Sequence, residues 1–187
     1  MSSTYNAALH LIQQGYKKIA FITIDSLQSQ MVDRLIGYEK AMDENKLDHI
    51  IKEIGFHLDG ETSASHIMDF LKRKKNLDAV IFSTNYLGIS GLLAIKRLGL
   101  QIPEDIAVIS FDDHVLFELN SPSITAIAQP IADISENLIN ILLSKLDDPS
   151  PEKMGKKCIV LQTSLIIRNS SLNKNVQRGG ATPLGND

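Results

Sequence analysis

"DIAVISFDDHVLFEL", residues 105–119, is the stretch on which the fold turns. Its apolar run from Ile106 to Phe111 shows no polar alternation. It therefore reads as a strand buried on both faces rather than one with a wet side. The run ends on two adjacent acids, Asp112 and Asp113, followed by His114 and another apolar pair. What carboxylates do at the lip of a buried strand depends on the company the rest of the chain brings to that lip.

Working outward, three upstream segments have the same character: "KKIAFITI" (17–24), "HIIKEIGF" (49–56) and "LDAVIF" (77–82). Helical spacing fills the gaps between them. Ala8, Leu11 and Ile12 share one face of a helix from about Asn6 to Gln14, with Gly15 as its stop. Met31, Leu35, Tyr38 and Met42 recur at helical intervals, predicting a helix over about Ser29 to Asn45. Thr62 or Ser63 is expected to cap a third helix carrying Ile67, Phe70 and Leu71. Ile89, Leu92, Leu93 and Leu98 mark a fourth. Downstream, "NSPSITAIAQP" (120–130) offers a short strand between two prolines, and Ile131, Ile134, Leu138, Ile141 and Leu142 mark a helix from Ile131 to Leu146. "KKCIVLQTSLIIR" (156–168) predicts one long strand or two short ones, and the polar tail from Asn169 is expected to be mobile or loosely attached. Apolar strands joined through helices imply a parallel sheet covered on both sides, an α/β doubly wound layout. Such a sheet usually has a strand ahead of its first helix, so a preceding strand is expected.

Bulk properties bound the function. The 187 residues suit one ordinary domain, with 43% hydrophobic and 22% charged residues. No apolar stretch is long enough to span a bilayer, so no membrane association is expected. Met1 to Thr4 lacks the features of a secretory signal, and a single cysteine, Cys158, forms no internal disulfide; both point to the cytoplasm. A net charge of −3 provides no broad basic field, so this segment is not expected to hold bare DNA.

In open parallel sheets, ligands bind beyond the carboxyl ends of the strands. The residues found there are Asp25 and Ser26 after the first strand, Ser83, Thr84 and Asn85 after the third, and Asp112 and Asp113 after the fourth. Short acids, amides and hydroxyls suit a polyhydroxy or heterocyclic ligand. Arg34, early in the second helix, reaches the same edge. The plainer reading is that such residues only cap the helices that follow. Catalytic signals are absent. His10, His49, His57, His66 and His114 fall in different elements without metal-ligand spacing, and no nucleophile elbow, phosphate loop or dinucleotide fingerprint occurs. Neither a cofactor nor a metal is expected. "ISFDDHV" (109–115) raises the rival of an aspartate-nucleophile phosphatase, although His114 stands where such enzymes carry a second acid. Cys158, inside an apolar run, reads as core rather than nucleophile.

Several segments together resemble the effector-binding core of the LacI/GalR (lactose-repressor) family of bacterial transcription regulators. They are "HLIQQGYKKIAFI" (10–22), "DRLIGYEKAM" (33–42), "DAVIFSTNYLGISGLLAIKRLGLQIPEDIAVISFDDH" (78–114), "PSITAIAQPIADI" (122–134) and "LQTSLIIRNSS" (161–171). The resemblance covers roughly residues 7–171. It implies a two-lobed, periplasmic-binding-protein-like type I module that senses a small molecule, a sugar or sometimes a purine, between its lobes. It also implies a homodimer, with operator DNA read by an N-terminal helix-turn-helix headpiece. On this reading residues 1–128 form the C-terminal lobe. Residues 129–148 form a helix that returns to an N-terminal lobe expected before residue 7. Closing strands at 149–171, near Val160 to Arg168, and a mobile tail at 172–187 complete the chain.

The same resemblance assigns candidate effector contacts. Arg34 matches the arginine of an R-L-x-G-[FY] motif, Asn85 the asparagine of N-D, and Asp112 the first acid of F-D-D. Gln129 falls where the chain crosses between lobes, and Asp25 or Ser26 lies in the polar loop after the first strand. Asp113 is expected to be structural, a cap or turn acid. Departures concern the ligand: Tyr86 follows Asn85, Tyr16 replaces a histidine, and Phe56 is only a loose counterpart of a ligand-stacking aromatic. The implied function is the ligand-sensing and dimerisation part of a regulator, without catalysis. A sugar-binding periplasmic solute-binding protein is the alternative with the same fold. Lacking half the cleft, the chain is expected to hold effector only weakly. The apolar face of the helix from Ile131 to Leu146 then needs another chain, or must fold back on its own lobe.

Overall fold

Six strands form one sheet in the order β2-β1-β3-β4-β5-β6. A computed structural model describes residues 2–74, 76–147 and 158–173. The elements are α1 (Ser2–Gln13), β1 (Ile19–Asp25), α2 (Ser29–Glu44), β2 (Ile50–Gly55), α3 (Gly60–Arg73), β3 (Ala79–Phe82) and α4 (Asn85–Leu98). They continue with β4 (Ala107–Phe111), α5 (Val115–Leu119), β5 (Thr125–Ala128), α6 (Ile131–Asp147) and β6 (Ser164–Ile166), then a 3-10 turn at Asn169–Ser171. Strands β1 to β5 pair in parallel, and β6 runs antiparallel to β5.

Alternation along the strands divides the core into two layers. Ala20, Ile22 and Ile24 of β1 join Val80 and Phe82 of β3 on one face, against Ile67 of α3, Leu87 and Ala94 of α4 and Phe117 of α5. Ile19 and Phe21 join Ile81, Ile109 and Phe111 on the other, against Ala8 and Leu11 of α1 and Tyr38 and Met42 of α2. Both faces being covered, continuous apolar strands follow, as the doubly wound layout requires.

Two close packings fix how the helices sit. The Tyr38 ring stacks on Phe21 with centroids 5.2 Å apart. Its hydroxyl donates to the Ile19 carbonyl at 2.8 Å and accepts from the Ile50 amide at 2.9 Å, bridging the amino ends of β1 and β2. Helix α4 lies so near the sheet that a Cβ on Gly91 would overlap the Phe82 ring, and one on Gly88 would overlap the Ser110 hydroxyl. Glycine is required at these positions by space.

The structure corrects several expectations. Helix α3 starts earlier than the spacing predicts: Asp59 is its cap, accepting from the Thr62 amide at 2.7 Å, and Thr62 and Ser63 lie inside. Helix α5 was not expected. The closing strand is only Ser164–Ile166, and Cys158 is exposed rather than core, because residues 158–163 join no strand. The tail is not loose at its start. Ser170 and Ser171 are fully buried, with the Ser170 hydroxyl donating to the Val108 carbonyl at 2.6 Å and accepting from the Thr125 amide at 2.8 Å. Residues 174–187 of the expected tail, and residues 148–157, lie outside the described residues. Helix α6 does not fold back on the lobe: Leu138 and Leu146 are 65% and 70% exposed, and Ile131, Ile139, Leu142 and Leu143 are exposed as well. At about 3.6 residues per turn, these apolar side chains with Ile134 and Ile141 occupy more than half of its circumference.

Candidate functional site

Parallel pairing of β1, β3 and β4 side by side brings their carboxyl ends to one edge, where the loops open. Asn85 begins α4 directly after the cap residue Thr84, whose hydroxyl accepts from the Leu87 amide at 3.3 Å. Thr84 performs the capping, leaving the half-buried Asn85 amide at the crevice between neighbouring strand tips. Asp112 follows β4 with φ 59, a left-handed backbone that aspartate tolerates better than most residues. Its amide donates to the Ile127 carbonyl at 2.9 Å, which holds this turn against β5.

Arg34 ties the crevice together. Its guanidinium lies 3.8 Å above the centre of the Phe111 ring, donates to the Ser83 carbonyl, and pairs with the Asp112 carboxylate at 3.8 Å. The side chain is 11% exposed, and burial pulls its pKa below the ordinary value while Asp112 and Tyr86 oppose that fall. Arginine stays protonated through such a shift, so a fixed positive charge sits between β3 and β4. The other Asp112 oxygen accepts from the Gln129 side-chain amide. Arg34, Asp112 and Gln129 thus form one linked group; half-exposed Tyr86 lies near the guanidinium, and Asn85 precedes it at the start of α4.

The remaining candidates are placed less centrally. Asp25 is exposed at the end of β1, three residues beyond the Ile22–Phe82 pair. Ser26 turns inward on its own loop, its hydroxyl accepting from the Gln28 amide at 3.3 Å. Asp113 is structural, but neither caps nor turns: both its oxygens accept from Arg168 at 2.8 Å, and His114 caps α5 through Nδ1. Sequence reasoning missed Arg168, the Phe111 platform and the Ser83 carbonyl. An arginine closing an apolar strand signals a charge with a partner, yet only the β4–β5–β6 order reveals which. Two buried hydroxyls, Thr23 on β1 and Ser83 directly after β3, have no hydrogen-bond partner among the described residues.

The chemistry of this arrangement suits hydrogen bonding rather than nucleophilic attack. A carboxylate already engaged by a guanidinium and an amide is a poor nucleophile, but its free lone pairs, the arginine fork and the Asn85 amide accept and donate in fixed directions.

A family model described as a periplasmic binding protein-like domain matches residues 8–171. The ribose operon repressor of Haemophilus influenzae is 30% identical over 169 residues, covering 89% of this chain and 49% of that protein. The HTH-type transcriptional repressor PurR of Vibrio atlanticus is 31% identical over 153 residues, covering 80% of this chain and 45% of that protein. Among solved structures, a regulatory protein of the LacI family from Chloroflexus aggregans superposes with a TM-score of 0.77 at 28% identity, covering 90% of this chain and 60% of that one. A transcriptional regulator CelR–cellobiose complex, at 24% identity, shares the fold with a TM-score of 0.79 over 90% of this chain and 51% of that one. The chain spans about half the length of the curated relatives it matches. It belongs to the periplasmic-binding-protein-like effector domains of the LacI family of transcriptional regulators.

Proposed function

We propose that the crevice at the carboxyl edge of β1, β3 and β4 is one wall of a sugar-binding cleft, and that this chain is the sensing and dimerising part of a cytoplasmic repressor. The observation that carries this reading is the Arg34–Asp112–Gln129 group beside Asn85. A carboxylate flanked by a fork of donors and two amides suits vicinal hydroxyls, which each donate and accept. Charge is balanced there, Arg34 against Asp112, which favours a neutral polyol over an anion. The relatives include a repressor of a ribose operon and a regulator solved with cellobiose.

The second wall belongs to the part of the relatives that this chain does not span, and the apolar girth of α6 is the surface on which that part packs. Effector held between both walls favours a closed arrangement, and a closed arrangement changes how two DNA-reading headpieces are spaced. Dimerisation uses α5. Val115, Leu116 and Leu119 are exposed on it, beside a hollow of about 620 Å³ lined by Leu92, Leu93 and Pro122. A second copy covers such a surface by two-fold exchange.

The test is a titration of ribose, cellobiose and a panel of other neutral sugars, followed by backbone NMR of the 187-residue chain. Weak, millimolar shifts at Arg34, Asn85, Asp112 and Gln129, abolished in Asp112→Ala, are expected. Silence across the panel at those amides would count against a sugar, and micromolar affinity would show that the cleft needs no second wall.

A further inference from the structure

The polar group at the carboxyl edge accounts for the hydroxyls of a sugar but not for its ring. A sugar ring carries hydroxyls around its rim and bare C–H bonds on its faces. The face of an aromatic side chain, negative at its centre, suits those C–H bonds, and ligand sites commonly set a few polar groups beside aromatic lining. Such a face must come from an aromatic ring exposed at this edge.

Most of the rings there have no face to offer. Phe82 and Phe117 are fully buried. Phe111 closes β4 beside Asp112, but it is buried and the Arg34 guanidinium lies 3.8 Å above its ring. Phe56 is exposed directly after β2, yet β1 stands between β2 and β3. With neighbouring strands about 4.8 Å apart, β2 lies roughly 10 Å from β3 and further still from β4. At this edge, among the described residues, that leaves Tyr86.

Tyr86 is the second residue of α4, directly after Asn85, and is half-exposed. The turn that carries it is fixed, since the Thr84 hydroxyl accepts from the Leu87 amide at 3.3 Å and the Leu87 side chain is buried in the core. Its phenol lies near enough to the Arg34 guanidinium for their charges to interact, which places the ring over the crevice rather than away from it. Tyrosine has an apolar body and a polar tip, so its hydroxyl stays in water while its ring face is covered.

We infer that Tyr86 is the stacking platform of this crevice and selects a sugar in its pyranose form, with one C–H face on the phenol ring and the rim hydroxyls toward Asp112, Arg34 and Asn85. The inference rests on the sugar-binding reading and names the ring form within it. An open-chain polyol offers the same hydroxyls but no such face. The plainer reading is that Tyr86 is a solvated ring that meets only the second wall.

The probes are glucose and cellobiose, with sorbitol carrying the hydroxyls of glucose on an open chain, each titrated into the 187-residue chain and its variants. Two NMR signals are read, the backbone amides of Arg34 and Asp112 and the C–H protons of the sugar. Upfield movement of the protons on one ring face, the mark of an aromatic ring lying beneath them, is expected. Tyr86→Phe should keep it. Tyr86→Leu, which keeps apolar bulk without a π face, and Tyr86→Ala should erase it and weaken binding by about two- to tenfold, with the urea midpoint unchanged. Sorbitol should bind more weakly than glucose by a similar factor. Amide shifts without upfield sugar protons, unchanged binding in both the Leu and Ala variants, or sorbitol binding as well as glucose would overturn the inference and leave the sugar reading standing. Amide shifts with ribose alone would overturn it too, and silence at both amides with every sugar would take down both.

Discussion

Arg168 grips Asp113 with both guanidinium arms, each nitrogen 2.8 Å from a carboxylate oxygen, and donates to the Ile124 carbonyl at the same distance. The pair fastens the segment after β6 to the turn after β4, directly beside Asp112. The Asp113 and Arg168 side chains are only 26% and 15% exposed, so the bond is less screened than a surface pair. Asp113→Asn keeps the shape and removes the charge, and should cost about 1–3 kcal/mol in urea unfolding at neutral pH. The Arg168 hydrogen bond holds the Asp113 carboxyl below its ordinary value of 3.8, with burial opposing. The unfolded chain therefore takes the proton first as pH falls. The stabilisation is full above about pH 4 and fades as pH drops through the folded value, so the gap between wild type and variant should narrow on acidification.

His10 anchors a second tie, and its protonation state follows from counting hydrogens. The Thr125 hydroxyl donates to the Arg168 carbonyl at 3.0 Å and accepts from the Arg168 amide at 2.8 Å. The hydrogen in its 2.7 Å contact with Ser171 must then come from Ser171. Ser171, having given its only proton, accepts from His10 Nε2 at 2.8 Å. Burial lowers the His10 pKa from 6.5, so the ring is neutral with its proton on Nε2 at neutral pH. The unfolded chain binds the proton first here too. Stability from this ring is complete above about pH 6.5 and lost as pH falls through the lower folded value. Nitrogen NMR of the imidazole should show the Nε2–H tautomer and a midpoint below that of a free histidine.

Tyr38→Phe removes one hydroxyl and strands two backbone groups, since the Ile50 amide loses its acceptor and the Ile19 carbonyl its donor. The cost should be about 1–3 kcal/mol, read as a lower urea midpoint with unchanged slope. Burial raises the Tyr38 phenol to about 12. Tyr5 and Tyr16 are also raised above the ordinary value, so the ultraviolet signature of Tyr38 is a component titrating near pH 12 that the variant lacks.

Gly91→Ala puts a methyl group where the Phe82 ring already is. Alanine favours helix, so propensity alone predicts a gain of about 0.5–1 kcal/mol. Overpacking should outweigh it, with a net loss of about 1–3 kcal/mol in thermal or urea unfolding.

The layered fold was legible because it rests on local signals. Continuous apolar runs separated by helical spacing specify buried parallel strands; β2 to β5 fall within their expected segments and β1 overruns its own by one residue, Asp25. The strand-end rule likewise puts Asn85 and Asp112 at the carboxyl edge of the sheet, which is where the structure has them. What escaped depends on distant partners. Ser170 and Ser171 look like loose polar tail until Val108, Thr125 and His10 supply their bonds from up to 161 residues away. Helix α5 has five residues, too few to show a period. Cys158 sits in an apolar run, but apolarity does not say whether a segment finds a strand to pair with. The grouping of Gln129 and Arg34 around Asp112 needed β5 beside β4 and α2 over Phe111.

The two glycines of α4 limit how the crevice can respond to an occupant. With nothing but hydrogen between the helix backbone and Phe82 or Ser110, α4 has no cushion of side chains on which to slide. The Asn85 end of the helix and the Asp112 tip of β4 travel as one block. If the proposed cleft closes around a guest, the movement must be a hinge of this whole block, with the hinge in the connecting segments outside β3, β4 and α4.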